Sequence, residues 1–207
     1  MRFVPVTVVH TGVANLASVQ AGLRRAGAEP VVAEDPRAAE DAERLVLPGV
    51  GAFAPGMARL AVCGWVEPLR KRIEAGRATL AICLGMQFLG GSSEESRGIP
   101  GLSVFAEGAK RFPGHVRVPQ IGWNAVTCGE GLRYLCEGYA YYANSYRLDA
   151  APQGWCAAWS DHGGRFVAAL ERGSVLACQF HPELSGPWGI GLLRRWLGAG
   201  GSETGSC

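Results

Sequence analysis

The sequence places a cysteine where it could act as a nucleophile. The apolar segment Thr79 to Ile82 runs into Cys83 and then into a helix-compatible stretch that begins with Leu84 and Gly85. A side chain on such a tight strand-to-helix turn projects from the carboxyl edge of a sheet, and the amide of Leu84 can donate to an oxyanion. The start of the helix also favours the thiolate, which is the reactive form. The alternative is a buried cysteine that acts as a small apolar side chain.

A histidine and a glutamate follow the last apolar run of the chain. His181 and Glu183 are two residues apart, so on an extended backbone they point to the same side. Pro182 favours that extended geometry at His181. The carboxylate can then hold one imidazole nitrogen while the other takes a proton from a thiol. A structural histidine is the alternative. Because neighbouring strand ends converge on one edge of a parallel sheet, we predict that these two residues and Cys83 form a triad.

A glycine-rich turn follows another apolar run. In Pro48 to Phe53, Gly49 and Gly51 let the backbone approach a ligand closely and present unhindered amides, as an oxyanion hole requires. An ordinary turn is the alternative. The segment matches neither the phosphate-loop nor the dinucleotide-binding spacing, so nucleotide binding is not expected.

The elements that must position these groups alternate between strand and helix in the first half of the chain. Apolar runs predict strands at Phe3–Val9, Pro30–Ala33, Leu45–Leu47 and Thr79–Cys83. Helical spacing predicts helices over Asn15–Ala26, ending at Gly27, and over Pro55–Ala75. This pattern is typical of an α/β fold with a three-layer arrangement, in which helices cover both faces of a mixed, mostly parallel central sheet.

The second half contains shorter β-type runs, which predict a small antiparallel portion. These runs are Leu102–Phe105, Trp123–Thr127, Tyr139–Tyr146, Trp155–Trp159, Phe166–Leu170 and Val175–Phe180. A final helix is expected over Pro187–Leu197. We therefore predict one domain over residues 1–198 and a flexible Gly- and Ser-rich tail over 199–207.

Composition excludes several classes of function. A chain of 207 residues with 48% hydrophobic content can bury the core of one domain. A net charge of +2 provides no broad field for nucleic acid or anionic membrane, and the apolar runs are too short to span a bilayer. Seven cysteines without a C-x-x-C pair fit a reducing cytosol, and four scattered histidines lack ligand spacing. We expect a soluble, cytoplasmic protein without metal or cofactor.

Three motifs together resemble a known enzyme family. Pro48 to Gly51, Ile82 to Gln87 and Gln179 to Glu183 are similar to segments of the class I, triad-type glutamine amidotransferases. More narrowly, three further segments resemble the glutaminase subunit of imidazole glycerol phosphate synthase: Asn15–Val19, Val118–Asn124 and Tyr142–Tyr146. The resemblance spans residues 10 to 186.

The resemblance implies a chemical role for each matching residue. Cys83 would attack the side-chain amide of glutamine, forming a γ-glutamyl thioester and releasing ammonia, and water would then yield glutamate. His181 would act as general base and then acid, with Glu183 orienting it. The implied oxyanion groups are the backbone at Val50, Gly51 and Leu84, and the implied substrate-binding residues are Gly49, Gln87, Ser145 and Tyr146.

The resemblance also implies a partner. In this family the ammonia passes into a separate (β/α)8 cyclase subunit, which makes imidazole glycerol phosphate and aminoimidazole carboxamide ribotide in histidine biosynthesis. The two subunits would form a heterodimer, with Asn15, Trp123 and Tyr141 at the interface. Because the Gly49 to Gly51 amides would face the oxyanion only once partner and ligand bind, the isolated chain is expected to be a poor glutaminase.

Some positions depart from the family pattern. His10-Thr11-Gly12 stands where Asp-Tyr-Gly is usual, Ala81 replaces a common glycine, and Gln120 and Asn144 replace frequent histidines. None of these changes removes a triad group. Two alternatives remain open: a glutaminase serving another synthase, of the pyridoxal phosphate or aminobenzoate type, and a catalytically silent assembly partner.

Overall fold

The computed structural model describes residues 3–12 and 15–198. The predicted tail, 199–207, lies outside the described residues. The strands are β1 Val4–Val9, β2 Ala28–Ala33, β3 Leu45–Leu47, β4 Thr79–Ile82, β5 Ser92–Ser93, β6 Gly108–Arg111, β7 Gln120–Cys128, β8 Gly138–Asn144, β9 Tyr146–Arg147, β10 Cys156–Asp161, β11 Arg165–Arg172 and β12 Val175–Cys178. The helices are α1 Leu16–Ala26, α2 Ala38–Asp41, α3 Phe53–Val62, α4 Val66–Glu74, α5 Leu84–Phe88 and α6 Gly186–Leu197, with a 3-10 helix at Pro182–Leu184.

A nine-stranded mixed sheet organises the molecule. Its order is β2-β1-β3-β4-β12-β11-β10-β7-β8. The pairings from β2 to β12 are parallel, and those from β12 to β8 are antiparallel. In the parallel part, β4 lies between β3 and β12, so the three segments that carry the glycine turn, Cys83 and His181 leave the sheet at one edge. The predicted fold class is confirmed, and the antiparallel part is as large as the parallel part.

Helices cover both faces of the sheet and bury a separate apolar core on each. On one face, α1 and α6 pack through side chains such as Leu23 and Leu193. On the other face, α3, α4 and α5 pack through side chains such as Phe53, Leu69 and Phe88. Because both faces are covered, β3, β4 and β12 are buried at every position, which explains their continuous apolar runs. None of the helices in the described part combines the length and apolarity needed to cross a bilayer.

Some predicted elements were wrong in extent or type. The helical region Pro55–Ala75 is two helices, because the chain turns at Gly64, where φ is +74°. The run Leu102–Phe105 forms bends and irregular chain instead of a strand. Its backbone amides at Leu102 and Val104 donate to the carbonyls of Phe88 and Leu89, so it packs against the end of α5 outside any sheet. The two-residue β5 and the short α2 carry too few apolar positions for a periodic signal.

Candidate active site

The turn between β4 and α5 places Cys83 at the edge of the sheet, where its side chain is buried. Its backbone is in an unusual conformation for a residue with a side chain, with φ 54° and ψ −110°. The Cys83 amide donates to the carbonyl of Cys178 at 2.7 Å, which ties the turn to β12. A Cβ on Gly85 would lie 2.1 Å from the carbonyl oxygen of Leu47, so only glycine allows α5 to begin this close to β3. The predicted strand-turn-helix geometry is present.

His181 and Glu183 lie together, but not on the extended backbone that the sequence suggested. His181 itself is extended, with φ −100° and ψ 96°, whereas Pro182–Leu184 turns into a 3-10 helix. Proline is well suited to this first helical position because its φ matches and no amide donor is lost. The turn brings Glu183 Oε1 to 2.8 Å from His181 Nδ1. The expected pairing is therefore formed by a different local geometry.

The imidazole of His181 joins the carboxylate to the thiol. Glu183 occupies Nδ1, and Cys83, which lines the same cavity as His181, lies close enough to the ring to favour its charged form. Burial by itself lowers the pKa of His181, but the hydrogen bonds to Cys83 and Glu183 and their charges outweigh this effect and raise the pKa to about 10. His181 therefore holds a proton at neutral pH, as required of a group that will later protonate a leaving nitrogen.

A cavity of about 200 Å³ opens onto the thiol and the imidazole. Six of the residues predicted to bind substrate or oxyanion line it: Val50, Gly51, Leu84, Gln87, Ser145 and Tyr146. The seventh, Gly49, lines a smaller cavity that reaches Asn15. The structure thus brings four distant parts of the sequence, residues 50–51, 83–95, 143–146 and 181, to one cavity. The roles of these residues stay predictions.

The backbone amide of Leu84 is already engaged in this conformation. It donates to the carbonyl oxygen of Gly49 at 3.3 Å, so it does not point freely into the cavity. A Cβ on Gly49 would lie 2.7 Å from the amide nitrogen of Gly85, which shows how closely the glycine turn packs on the start of α5. For Leu84 to serve an oxyanion, the Gly49 carbonyl must first rotate away.

Comparison with known proteins identifies the family. The profile of the class I glutamine amidotransferases matches residues 8–197. The subunit HisH of imidazole glycerol phosphate synthase from Symbiobacterium thermophilum is 39% identical over 196 residues, covering 92% of each chain. The HisH subunit from Halobacterium salinarum is 41% identical over 212 residues, covering 95% of this chain and 94% of its own. This chain is a class I glutamine amidotransferase of the HisH family.

A fused plant relative and several solved structures extend the comparison. The chloroplastic imidazole glycerol phosphate synthase hisHF of Arabidopsis thaliana is 39% identical over 199 residues, which are 93% of this chain and 34% of the plant protein. A crystal structure of a glutamine amidotransferase superposes with a TM-score of 0.74 at 22% identity, covering 93% of this chain and 96% of its own. PurLQS from Thermotoga maritima superposes with a TM-score of 0.72 at 16% identity, covering 96% and 99%. These structures share the fold.

Two residues at the site of this amidotransferase were missed by sequence reasoning, one that lines the cavity and one that contacts the cavity-lining residues. The carboxylate of Glu95 lines the catalytic cavity and accepts a hydrogen bond from the amide of Phe53 at 2.8 Å. Gln179 is fully buried and contacts both Gln87 and Cys83. The only signal for Glu95 was an acidic pair after a Gly-Gly turn, which is common on surfaces. Gln179 stood in the same motif as His181 and offered a clearer signal.

The residues predicted at the partner interface of this HisH-family chain lie on its surface. The Trp123 ring is 57% exposed and makes an edge contact with Tyr141 at a centroid distance of 6.3 Å. Asn15 caps α1 by accepting a hydrogen bond from the amide of Ser18 at 3.3 Å. Exposed apolar side chains surround Trp123 on the same side of the β7–β8 hairpin and on the 3-10 helix: Ile121, Tyr139 and Leu184.

The departures from the family pattern leave the triad intact. Ala81 is completely buried within β4, and His10 contacts Glu34 through Nδ1 at 3.2 Å. Gln120 and Asn144 lie directly opposite each other on β7 and β8, and both are buried. Within residues 3–12 and 15–198, no cluster of three or more His, Cys, Asp or Glu side chains is placed to hold a metal ion.

Proposed function

We propose that this chain is the glutaminase subunit of an imidazole glycerol phosphate synthase, acting in histidine biosynthesis. It hydrolyses glutamine to glutamate and delivers the ammonia to a (β/α)8 cyclase subunit. The observation that carries the reaction is the contact of His181 with both Cys83 and Glu183 beside an enclosed cavity. The identity of 37–41% with HisH subunits over nearly the whole chain supports this particular synthase.

The two half-reactions follow from the positions of the three groups. The thiol proton of Cys83 already lies on His181 in the paired state, and the sulfur of Cys83 forms a bond to the side-chain carbonyl carbon of glutamine. The carbon–nitrogen bond breaks as His181 gives its proton to the nitrogen, which leaves as ammonia. Water then adds to the thioester, returning a proton to His181, and the carbon–sulfur bond breaks to give glutamate. Glu183 keeps the ring oriented and stabilises its positive charge in both steps.

The cavity supplies groups that suit free glutamine. The Glu95 carboxylate can pair with the α-ammonium group, and the side chain of Gln87 and the backbone near Ser145 and Tyr146 offer polar contacts. Since Glu95 is anchored by the amide of Phe53, its carboxylate is held in place before substrate arrives. These contacts support binding of an amino acid in preference to a simple aliphatic amide.

The surface around Trp123 supports a protein partner. Trp123 and Tyr139 are each more than half exposed, and Leu184 follows Glu183 directly. Exposed aromatic and aliphatic groups of this kind are typical of binding surfaces. The exposed side chains therefore adjoin the segment that carries the triad. We infer that the (β/α)8 cyclase docks here and forms a heterodimer with this chain.

The hydrogen bond from the Leu84 amide to the Gly49 carbonyl supports the prediction that the isolated chain hydrolyses glutamine slowly. With the Gly49 carbonyl in its place, the oxyanion formed on glutamine would meet a carbonyl oxygen in place of a donor. Binding of the cyclase and its nucleotide ligand would shift the glycine turn to the conformation that frees this amide. Rapid glutamine turnover by the purified chain would contradict this proposal.

The decisive experiment measures both nitrogen sources in the reconstituted complex. The chain is mixed with the cyclase subunit and its nucleotide substrate, and product is followed with glutamine or with ammonium salt. Cys83→Ala should abolish synthesis from glutamine and leave synthesis from ammonium intact, whereas Cys63→Ala, at a half-buried cysteine outside the cavity, should preserve both. Loss of both activities in the Cys83→Ala complex would show that the change disrupts assembly.

The same mixture separates the two alternatives. If a synthase of another type stimulates glutamine hydrolysis and the cyclase does not, that other synthase is the acceptor of the ammonia. A glutamine-analogue electrophile that fails to label Cys83 in the assembled complex would favour a silent assembly partner. The HisH identities favour the cyclase, and the intact triad favours catalysis.

A further inference from the structure

Gln179 is a buried amide that the reaction outlined above does not use. It follows β12 directly and precedes His181 by two residues. Its side chain has no exposed surface, and its backbone amide donates to the carbonyl of Ala168 at 2.8 Å. An amide buried so completely must be satisfied by its neighbours, so its contacts indicate what it does.

A chain of hydrogen bonds fixes the orientation of this amide. The carbonyl oxygen of Tyr146 can only accept, so the group of Gln87 that faces it at 3.2 Å must be the Nε2 donor. The same nitrogen donates to Oε1 of Gln179 at 3.0 Å. Nε2 of Gln179 is then directed at the sulfur of Cys83, 3.8 Å away. The backbone of Tyr146 thus decides, through two side chains, that the sulfur receives an N–H donor.

We propose that Gln179 is a catalytic residue that stabilises the thiolate of Cys83 by donating a hydrogen bond to the sulfur. This proposal rests on the proposed glutaminase function. Cys83 is only 6% exposed, so its thiolate has little water around it and needs donors from the protein. His181 provides one such contact. Gln179 provides a second donor, and its amide N–H does not give up its proton during the reaction.

The donor acts at two points of the reaction. Before attack, it stabilises negative charge on the sulfur of Cys83. When the thioester forms, the sulfur loses its negative charge and this hydrogen bond weakens. In hydrolysis the carbon–sulfur bond breaks and the sulfur leaves with the electron pair, so the donor again stabilises the departing thiolate. The hydrogen bond is therefore weak in the thioester and strong in the transition state of its hydrolysis, and this difference accelerates the hydrolytic half-reaction.

The competing explanation is that Gln179 only supports Gln87 in the substrate pocket. The two explanations differ in what they predict for the thiol when glutamine is absent. A support for Gln87 affects the KM for glutamine and leaves the reactivity of Cys83 unchanged. A donor to the sulfur changes the pH at which Cys83 reacts.

The test measures alkylation of Cys83 by iodoacetamide in the full-length chain between pH 5 and 10. Trypsin releases Cys83 in the peptide of residues 78–97, which contains no other cysteine, so mass spectrometry follows this thiol alone. Gln179→Met keeps the approximate volume and removes the donor, and Gln179→Glu places a carboxylate beside the sulfur. Gln153→Met, at an exposed position outside the cavity, is the matched control.

We expect the midpoint of the alkylation profile to rise by about one pH unit in Gln179→Met, which is a roughly tenfold loss of rate below the midpoint, because a charge-assisted hydrogen bond is lost. Gln179→Glu should raise the midpoint further, and Gln153→Met should leave it unchanged. If Gln179→Met fails to fold in a thermal melt, Gln179→Leu, which also removes the donor without adding a charge, takes its place. A wild-type profile in the folded variants would overturn the proposal.

The measurement uses neither glutamine nor the cyclase, so it is independent of the proposed function. A raised midpoint in a chain that never turns over glutamine would refute the glutaminase proposal and leave the sulfur contact standing. An unchanged midpoint in a chain that is an active glutaminase would refute the sulfur contact and leave the glutaminase proposal standing.

Discussion

Replacing Glu183 with glutamine tests the electrostatic basis of the site. Glu183 is 4% exposed, and its Oε1 lies 2.8 Å from Nδ1 of His181. Glu183→Gln keeps the shape of the side chain and an acceptor oxygen but removes the negative charge. The protonated imidazole then loses one of the contacts that raise its pKa to about 10.

The expected decrease in the pKa of His181 follows from the strength of its hydrogen bond to Glu183. A hydrogen bond to a charged group contributes about 1.5–3 kcal/mol, which corresponds to a pKa decrease of about 1–2 units for His181. Because the protonated ring is needed to protonate the leaving nitrogen, the alkaline limit of kcat/KM should move down by the same amount. Well above both pKa values the rate should fall about 10- to 100-fold, whereas at neutral pH the ring stays protonated in both proteins and the loss of rate should be small.

The assay is glutamate release by the complex with the cyclase and its nucleotide ligand, measured as kcat/KM from pH 6 to 11. Glu29→Gln, at an exposed position of β2, is the control and should reproduce the wild-type profile. An alkaline limit that stays at its wild-type position in Glu183→Gln would refute the reasoning, because it would mean that the carboxylate does not act on the protonation of His181.

Glu183→Gln should also alter how the free energy of unfolding depends on pH. The folded-state pKa of His181 lies above its ordinary value of 6.5, so protonation stabilises the fold. This contribution is fully present below pH 6.5 and is lost as the pH rises through about 10. The free energy of unfolding in urea should therefore differ less between the wild type and Glu183→Gln as the pH rises from 6.5 to about 10. A constant difference would contradict the assignment.

Three further changes test other parts of the structure. Gly85→Ala should destabilise the chain by about 1–3 kcal/mol in urea unfolding, because its Cβ would clash with the carbonyl of Leu47, whereas Gly114→Ala enters open space and should cost little. Glu95→Gln should raise the KM for glutamine about tenfold or more with a smaller effect on kcat, because the ammonium partner is lost. Trp123→Ala should weaken cyclase binding by about 2 kcal/mol in calorimetry while leaving the melting temperature unchanged, because the ring is exposed.

The sequence predicted the order of strands and helices in the first half because both patterns there are strong. The continuous apolar runs of β3 and β4 reflect burial on two faces, and the periodicity of α1 reflects burial on one. Gly27 ends α1 in the left-handed conformation, as its position predicted. Weak elements such as α2 and β5 were missed because they are held by tertiary contacts.

The motifs around Cys83 and His181 were readable from sequence because each is a local arrangement with a strict steric requirement. Gly85 fits against β3, and Pro182 begins a short helix. The backbone that joins His181 to Glu183 was predicted wrongly. A two-residue spacing brings side chains together on a strand, but a tight turn can also do so, and the sequence did not distinguish them.

The fold class and the strand-turn-helix at Cys83 could be read from the sequence, and so could the prediction that Cys83, His181 and Glu183 act together, because these depend on local patterns and residue chemistry. The engagement of the Leu84 amide by Gly49, the position of Glu95 in the cavity and the contact of Gln179 with the sulfur became visible only in the folded chain. Each of these contacts joins segments far apart in the chain. Their geometry depends on how strands and loops pack around one sheet edge, which no local pattern encodes.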